Sequence, residues 1–167
     1  MSKEISLILV KPDGVQRGLI GEIISRFERK GLKLIGLKFI SLNDAILESH
    51  YAHLADKPFF ADIKEFMKSS PVVAMAWEGG EGTVAAIRIL VGPTKGHEAP
   101  AGTIRGDFGL SGSNNIVHAS DSVENGKTEV SRFFEKDELF EYKKTQDFHI
   151  YGSWLSACSS MDRAIPS

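Results

Sequence analysis

Asn115-Ile116-Val117-His118-Ala119-Ser120-Asp121 joins a short apolar run to a polar pair. The two β-branched residues are typical of a strand. Ser120 and Asp121 are residues that begin helices by accepting backbone N–H bonds. The segment therefore predicts a strand end followed by a helix start, with His118 between them.

His118 is the candidate catalytic residue of this segment. A side chain at a strand end reaches a cleft while its backbone stays fixed, and imidazole titrates near neutral pH, which suits a nucleophile or a base. A single histidine beside apolar residues is also common as a packed or surface residue. These few residues alone leave both interpretations open.

The composition is that of an ordinary soluble chain. Its 167 residues predict one domain, with 42% hydrophobic and 25% charged residues. A formal charge of −2 argues against bulk attraction to nucleic acid or membranes. The single cysteine, Cys158, cannot form an internal disulfide, so we expect a reducing compartment, the cytoplasm. No apolar run reaches the ~20 residues of a membrane helix, and no signal-peptide pattern opens the chain.

Strand and helix patterns alternate along the rest of the chain. Residues 5–10 predict a strand that ends in the turn Lys11-Pro12-Asp13-Gly14. Apolar residues at 20, 23, 24 and 27 form one stripe of an amphipathic helix that ends at Gly31. Similar patterns predict further strands at 32–40 and 71–77, helices at about 43–54, 58–68, 83–91 and 121–134, and a short helical piece around 137–142.

Two segments lack such a pattern. Residues 92–114 contain six glycines and two prolines, and loops of this length are usually functional or disordered. The Ser-rich residues 153–167 are predicted to be a flexible tail. The order of elements predicts an α+β fold, a ferredoxin-like four-stranded antiparallel sheet with helices on its faces and added helices, in a single domain over residues 1–152.

One motif points to a different function. Gly80-Glu81-Gly82-Thr83-Val84-Ala85 matches the dinucleotide fingerprint G-x-G-x-x-A, follows a strand and opens a helix. The helix, however, leads into the long loop, and no convincing ribose-binding acid ends a strand about 20 residues later. A flexible turn before a helix is therefore favoured over a dinucleotide-dependent oxidoreductase.

Several cations lie at the ends of predicted elements. Lys11 follows the first strand, Arg88 is an isolated charge on an apolar helix, and Arg105 lies between glycines that permit close backbone approach. Arginine forks match two phosphate oxygens at a time, and lysine adds a point charge. Each cation alone is also consistent with a solvated surface charge, although this alternative is weaker for Arg88, whose neighbours Ile87, Ile89 and Leu90 are apolar.

The wider motif set resembles the nucleoside diphosphate kinase family over residues 5 to about 151. The matching stretches, in order, are Val10-Lys11-Pro12-Asp13-Gly14-Val15-Gln16-Arg17-Gly18-Leu19, His50-Tyr51, Lys57-Pro58-Phe59-Phe60, Pro71-Val72-Val73-Ala74-Met75, Gly102-Thr103-Ile104-Arg105-Gly106-Asp107-Phe108 and Asn115-Ile116-Val117-His118-Ala119-Ser120-Asp121. The resemblance implies transfer of the γ-phosphate from a nucleoside triphosphate to a nucleoside diphosphate, by a ping-pong mechanism through a phosphohistidine on His118.

The resemblance also implies roles for other residues. Glu129 would bind the second ring nitrogen of His118, and Tyr51 would lie beside that ring. Lys11 and Asn115 would join the nucleotide's 3′-hydroxyl in one network. Phosphates would be held by Lys11, Arg88, Thr94 and Arg105, and the base would stack on Phe59 with Ile63 nearby. Stacking on one ring face accepts every base, so we expect broad nucleotide specificity without base-reading donors.

Cofactor and partners follow from the same resemblance. Mg²⁺ would be carried on the nucleotide phosphates, with no protein side chain as a ligand. The subunits would form a homo-oligomer, a hexamer rather than a tetramer, without membrane or specific nucleic-acid partners. Departures from the family pattern, such as Ala119 after the histidine and Asn114 before Asn115, bear on subunit packing. The alternative is a non-catalytic nucleotide- or nucleic-acid-binding module of ferredoxin-like fold, which would bind nucleotide without turnover.

Overall fold

The computed structural model describes residues 3–151. The predicted tail, residues 153–167, and Cys158 lie outside the described residues. Among the described helices, not one combines the length and the apolar character needed to cross a membrane.

Four strands form one sheet. They are β1 (Glu4–Val10), β2 (Lys33–Ile40), β3 (Val72–Gly79) and β4 (Val117–Ala119), in the spatial order β2-β3-β1-β4. All three neighbouring pairs are antiparallel. This order and orientation confirm the predicted ferredoxin-like α+β fold.

Helices connect and flank the strands. They are α1 (Pro12–Gln16), α2 (Ile20–Arg29), α3 (Asp44–His50), α4 (Phe60–Lys68), α5 (Thr83–Val91), α6 (Ile104–Phe108), α7 (Val123–Phe133) and α8 (Asp147–Tyr151). Short 3-10 turns lie at Ala52–Leu54, Gly96–Glu98 and Lys136–Glu138.

Two predicted irregular segments contain helices. The predicted turn after β1 is the short helix α1, because Pro12 at its first position has its φ angle preset for a helix. The loop over residues 92–114 contains α6, whose first turn is capped by the Thr103 hydroxyl accepting from the Gly106 backbone N–H. Short helices of this kind lack an apolar stripe long enough to detect in a sequence.

The C-terminal part also differs from its prediction. The prediction of a helix around 137–142 is wrong beyond its first residues, because only the 3-10 turn Lys136–Glu138 is helical. The Phe140 backbone N–H instead donates to the Ile35 carbonyl of β2 at 2.8 Å. Residues after this turn therefore run beside β2, and α8 follows without having been predicted. Contacts with a distant strand are invisible to local sequence patterns.

β1 is buried on both faces of the sheet. Ile8 and Val10 pack against α2 and α5 on one face, in a cluster that includes Phe27 and Ile87. Leu7 and Leu9 pack on the other face against residues of α3, α4 and α7, including Leu47, Met67 and Phe133. The central strand is consequently rigid, and residues that follow it are placed accurately.

The glycine-rich fingerprint forms a capped helix start. Gly82 adopts a φ of 84°, a left-handed conformation that glycine enters without strain. The Glu4 carboxylate accepts from the backbone N–H groups of Gly82 and Val84, both at 2.9 Å. A protein carboxylate thus lies where a dinucleotide fold would place the pyrophosphate, which supports the interpretation as a turn.

Gly126 lies where α7 packs closely against β1, and its replacement tests this packing. A Cβ there would lie 2.0 Å from the Ile5 carbonyl oxygen. We expect Gly126→Ala to lower the free energy of unfolding by roughly 1–3 kcal/mol, measured by urea denaturation. Gly21→Ala is the matched control: Gly21 lies in α2 with nothing near its Cβ position, so we expect unchanged or slightly raised stability. Equal effects of the two substitutions would contradict this packing.

Candidate active site

The site forms where the end of β1 meets β4. The Lys11 backbone N–H donates to the Ile116 carbonyl at 2.8 Å, and the Lys11 ammonium donates to Asn115 Oδ1 at 2.7 Å. The Asn115 amide in turn donates to the carbonyls of Thr94 and Gly112, each at 3.0 Å. Backbone pairing and one amide side chain thus join three segments that are far apart in sequence.

His118 is held through one of its ring nitrogens. Its Nε2 lies 2.9 Å from Glu129 Oε2, and the Ser120 hydroxyl donates to the same oxygen at 2.6 Å. Ser120 is fixed because its oxygen also accepts from the Leu7 backbone N–H at 3.0 Å. A carboxylate can only accept, so Nε2 carries the proton and the neutral ring keeps its lone pair on Nδ1.

The electrostatics keep Glu129 ionised. Burial opposes its charge, but hydrogen bonds from His118 and Ser120 outweigh burial and lower its pKa to about 2. The carboxylate therefore remains an acceptor at any physiological pH. The predicted pairing of His118 and Glu129 occurs in the structure, whereas the contribution of Ser120 was not anticipated.

A second histidine packs against the first. The His50 ring lies edge-on to His118 with centroids 4.6 Å apart, and Arg132 donates to its Nδ1 at 3.2 Å. Burial, and repulsion by His118 whenever that ring is protonated, lower the pKa of His50 to about 3, so His50 stays neutral. His50 is therefore an uncharged packing partner. In the sequence, His50 stands out only as part of the His50-Tyr51 match to the family motifs, which predicts no role for His50 itself.

Two arginines hold β4 through its backbone. Arg105 is buried, and it donates to the carbonyls of Asn115, Gly92 and Val117 at 3.3, 2.9 and 2.7 Å. Arg88 donates to the Ala119 carbonyl at 3.2 Å. The guanidinium groups therefore support the strand that carries His118.

The cations of the site lie close enough to affect one another. Burial and the nearby charge of Arg105 lower the pKa of Lys11 to about 8. Burial and Arg88 lower the pKa of Arg105 to about 10. Clustered positive charge with few counter-ions favours binding of a polyanion, because the anion relieves the repulsion.

Ile116 has a strained backbone at the entrance to β4. Its φ of 72° is the left-handed region, which a β-branched residue rarely enters. The conformation is maintained from both sides, since the Ile116 N–H donates to Asp13 Oδ2 at 3.0 Å and its carbonyl accepts from Lys11. Gly14 packs closely against this turn, because a Cβ there would lie 2.8 Å from Val10 Cγ1 and 3.0 Å from the Ile116 carbonyl oxygen. The sharp turn lies between Asn115, whose side chain contacts Lys11, and His118, whose ring contacts Glu129.

Two adjoining cavities contain the predicted site residues. A charged cavity of about 650 Å³ is lined by Lys11, Tyr51, Arg88, Thr94, Arg105, Asn115, His118 and Glu129. A more apolar cavity of about 510 Å³ is lined by Phe59 and Ile63 and shares Lys11, Tyr51, Thr94 and Asn115 with the first. The structure thus brings together every site residue predicted from the sequence. A ligand with an anionic end and a flat apolar end would match the pair.

Known proteins resemble the chain over nearly its whole length. A family model described as nucleoside diphosphate kinase matches residues 4–139. A nucleoside diphosphate kinase of Parabacteroides distasonis is 49% identical over 150 residues, covering 90% of this chain and 97% of the relative. Nucleoside diphosphate kinase A of Rattus norvegicus is 48% identical over 150 residues, covering 90% and 98%.

Solved structures agree with these sequence relatives. A nucleoside diphosphate kinase family protein from Babesia bovis superposes with a TM-score of 0.85 at 48% identity, covering 89% of this chain and 99% of that one. A nucleoside diphosphate kinase from Halobacterium salinarum, solved in complex with CDP, gives a TM-score of 0.86 at 41% identity, covering 90% and 99%. The chain therefore belongs to the nucleoside diphosphate kinase family, a family of phosphotransferases.

Proposed function

We propose that the chain transfers the γ-phosphate of a nucleoside triphosphate to a nucleoside diphosphate through a phosphohistidine on Nδ1 of His118. The observation that carries the proposal is the 2.9 Å contact of Nε2 with Glu129, which leaves the lone pair on Nδ1 of a histidine that lines a cavity with four cations, Lys11, Arg88, Arg105 and Arg132. The Halobacterium salinarum relative was solved with CDP, a nucleotide of the proposed substrate class.

The proposed reaction has two matching half-steps. The Nδ1 lone pair attacks the γ-phosphorus, and the bond to the β-phosphate oxygen breaks, releasing a nucleoside diphosphate. The Nε2 proton stays on the ring, where the Glu129 carboxylate balances the positive charge of the phosphorylated imidazole. In the second half-step, the terminal oxygen of another nucleoside diphosphate attacks the phosphorus, and the P–N bond breaks.

The cations act on the charge of the transferring group. Lys11, Arg88 and Arg105 lie in the cavity of His118, where fixed positive charge stabilises a phosphoryl group in transit. Much of the Arg105 fork is already engaged by backbone carbonyls. Its position is therefore preorganised, and little reorganisation accompanies the reaction.

Mg²⁺ enters the proposal only with the nucleotide. Of the carboxylates that line the charged cavity in the described chain, Glu129 is engaged by two donors, which leaves Asp121. One carboxylate among several cations does not make a protein cage for Mg²⁺, whereas an ion held on phosphate oxygens fits this lining. When bound there, Mg²⁺ neutralises phosphate charge. Thr94 and Asn115 would hold the phosphate and ribose end, and Phe59 with Ile63 the base.

Labelling tests the phosphohistidine. We expect protein incubated with γ-labelled ATP and Mg²⁺ to gain acid-labile, base-stable phosphate, which GDP discharges as GTP. His118→Ala should abolish the label, because the substitution removes the proposed nucleophile. His97→Ala is the control, since His97 is exposed and lines neither cavity. Chromatography after alkaline digestion should identify the Nδ1 isomer.

Two outcomes would contradict the proposal. Label that survives acid, or that forms equally in His118→Ala, would place the chemistry elsewhere. Tight nucleotide binding without label or turnover would favour the alternative, a non-catalytic nucleotide-binding module of the same fold.

The pKa of Lys11 predicts how nucleotide affinity depends on pH. Because that pKa is lowered to about 8, the ammonium of the free protein loses its charge as pH rises through this value. We expect ADP affinity, measured by calorimetry, to fall progressively from pH 7 to pH 9. Lys11→Met should bind weakly at both pH values and lack this fall. An equal fall in both proteins would assign the titration to another group.

Assembly, domain extent and location complete the proposal. We propose a homo-oligomer, a hexamer rather than a tetramer, made of a single domain over residues 1–152 in the cytoplasm. Leu37 and Phe39 on β2 are 53% and 62% exposed, and apolar side chains of this size are often covered in an assembly. Light scattering at several protein concentrations should give six times the 18.3 kDa chain mass. A stable tetramer or a monomer would overturn this part.

A further inference from the structure

An acidic side chain lies in the apolar cavity, beside the ring proposed to stack on the base. Asp62 lies in the first turn of α4, three residues after Phe59, and lines the same cavity of about 510 Å³ as Phe59 and Ile63. Residues three apart at a helix start lie on the same side. A group stacked on Phe59 would therefore share this cavity with the Asp62 carboxylate.

The Asp62 carboxylate has no partner in the part of the chain that the structure describes. Other acids on this surface do have partners: Glu48 accepts from Lys64 at 2.9 Å, and Glu65 lies 3.1 Å from Lys68. An acid near a helix N-terminus is favoured by the helix dipole, which accounts for an acid at this position. It does not account for an acid that lines the cavity without a hydrogen bond or an ion pair to any described residue.

The chemistry of the group defines what it can recognise. An ionised carboxylate only accepts hydrogen bonds, and it has two oxygens side by side. Guanine presents two neighbouring donors, N1–H and the 2-amino group, which match both oxygens. Adenine and cytosine each present an amino group beside a bare ring nitrogen. Uracil and thymine present one N–H between two carbonyl oxygens, which a carboxylate repels.

We propose that Asp62 makes this site select guanine nucleotides, by accepting from N1–H and the 2-amino group of a base stacked on Phe59. The inference rests on the proposed nucleotide phosphotransfer and deepens it. It also refines the expectation of broad nucleotide specificity: stacking on Phe59 does not distinguish bases, but an acceptor in the same cavity does. Because Asp62 is exposed, water competes for the hydrogen bonds, so we expect a modest preference, roughly threefold to tenfold.

Direct competition between acceptors measures the preference. Protein phosphorylated with γ-labelled ATP and freed of nucleotide is mixed with equal concentrations of GDP and UDP, and labelled GTP and UTP are separated. Their ratio equals the ratio of kcat/KM for the two acceptors. We expect more GTP than UTP from the unmodified protein, and a ratio at least threefold smaller from Asp62→Ala. Asp62→Asn should also lower the ratio, because an amide cannot accept from both donors.

Asp56→Ala is the matched control, since Asp56 is an exposed acid in the same region that lines neither cavity. It removes the same charge and should leave the ratio unchanged. Thermal melting of each variant shows whether α4 remains folded. A ratio unaffected by Asp62→Ala, or lowered equally by Asp56→Ala, would overturn the inference while leaving phosphotransfer intact.

Failure of phosphotransfer itself gives a different result, in which neither GTP nor UTP forms. Calorimetric titration with GDP and UDP then tests the inference without turnover. Tighter GDP binding that Asp62→Ala weakens more than UDP binding would support base selection. Equal weakening of both nucleotides, or of neither, would overturn it.

Discussion

The ladder between β1 and the three-residue strand β4 determines where the reactive groups lie. Antiparallel pairing sets Leu9 opposite His118, and the Ser120 N–H donates to the Leu7 carbonyl at 3.1 Å. Because β1 is buried on both faces, it serves as a fixed reference for the short edge strand beside it. A shift of one residue would turn His118 to the opposite face of the sheet, away from Glu129.

Stability and reactivity are opposed at this ladder. The structure places a left-handed isoleucine, the buried Arg105 and the half-buried Arg88 and Lys11 around a few residues, and each is unfavourable alone. The cost is offset by many specific hydrogen bonds: Asp13 fixes Ile116, and the backbone carbonyls of β4 and its approach satisfy Arg105. The result is a preorganised cluster of positive charge whose repulsion a bound polyphosphate would relieve.

Local patterns predicted much of this arrangement. Apolar spacing identified the helices α2 and α5 and the strands β2 and β3. The alternation of helix and strand along the chain was sufficient to predict the ferredoxin-like order. His118, Lys11 and Arg105 were recognised as candidates from their positions at segment ends. Short helices such as α1 and α6 were missed, because they depend on one proline or one capping hydroxyl rather than on a repeating apolar stripe.

The amino-acid sequence by itself determined the strands and the order of the elements, because periodicity is a local property, and its motifs named the candidate phosphate-binding residues through their resemblance to the family. Only the tertiary structure decided which nitrogen of His118 is free, that His50 is neutral, and that Asp62, without a partner among residues 3–151, lines one cavity with Phe59. These are consequences of distance and burial between groups far apart in the chain. Hydrogen bonding and desolvation depend on the packed environment, and no single segment contains that information.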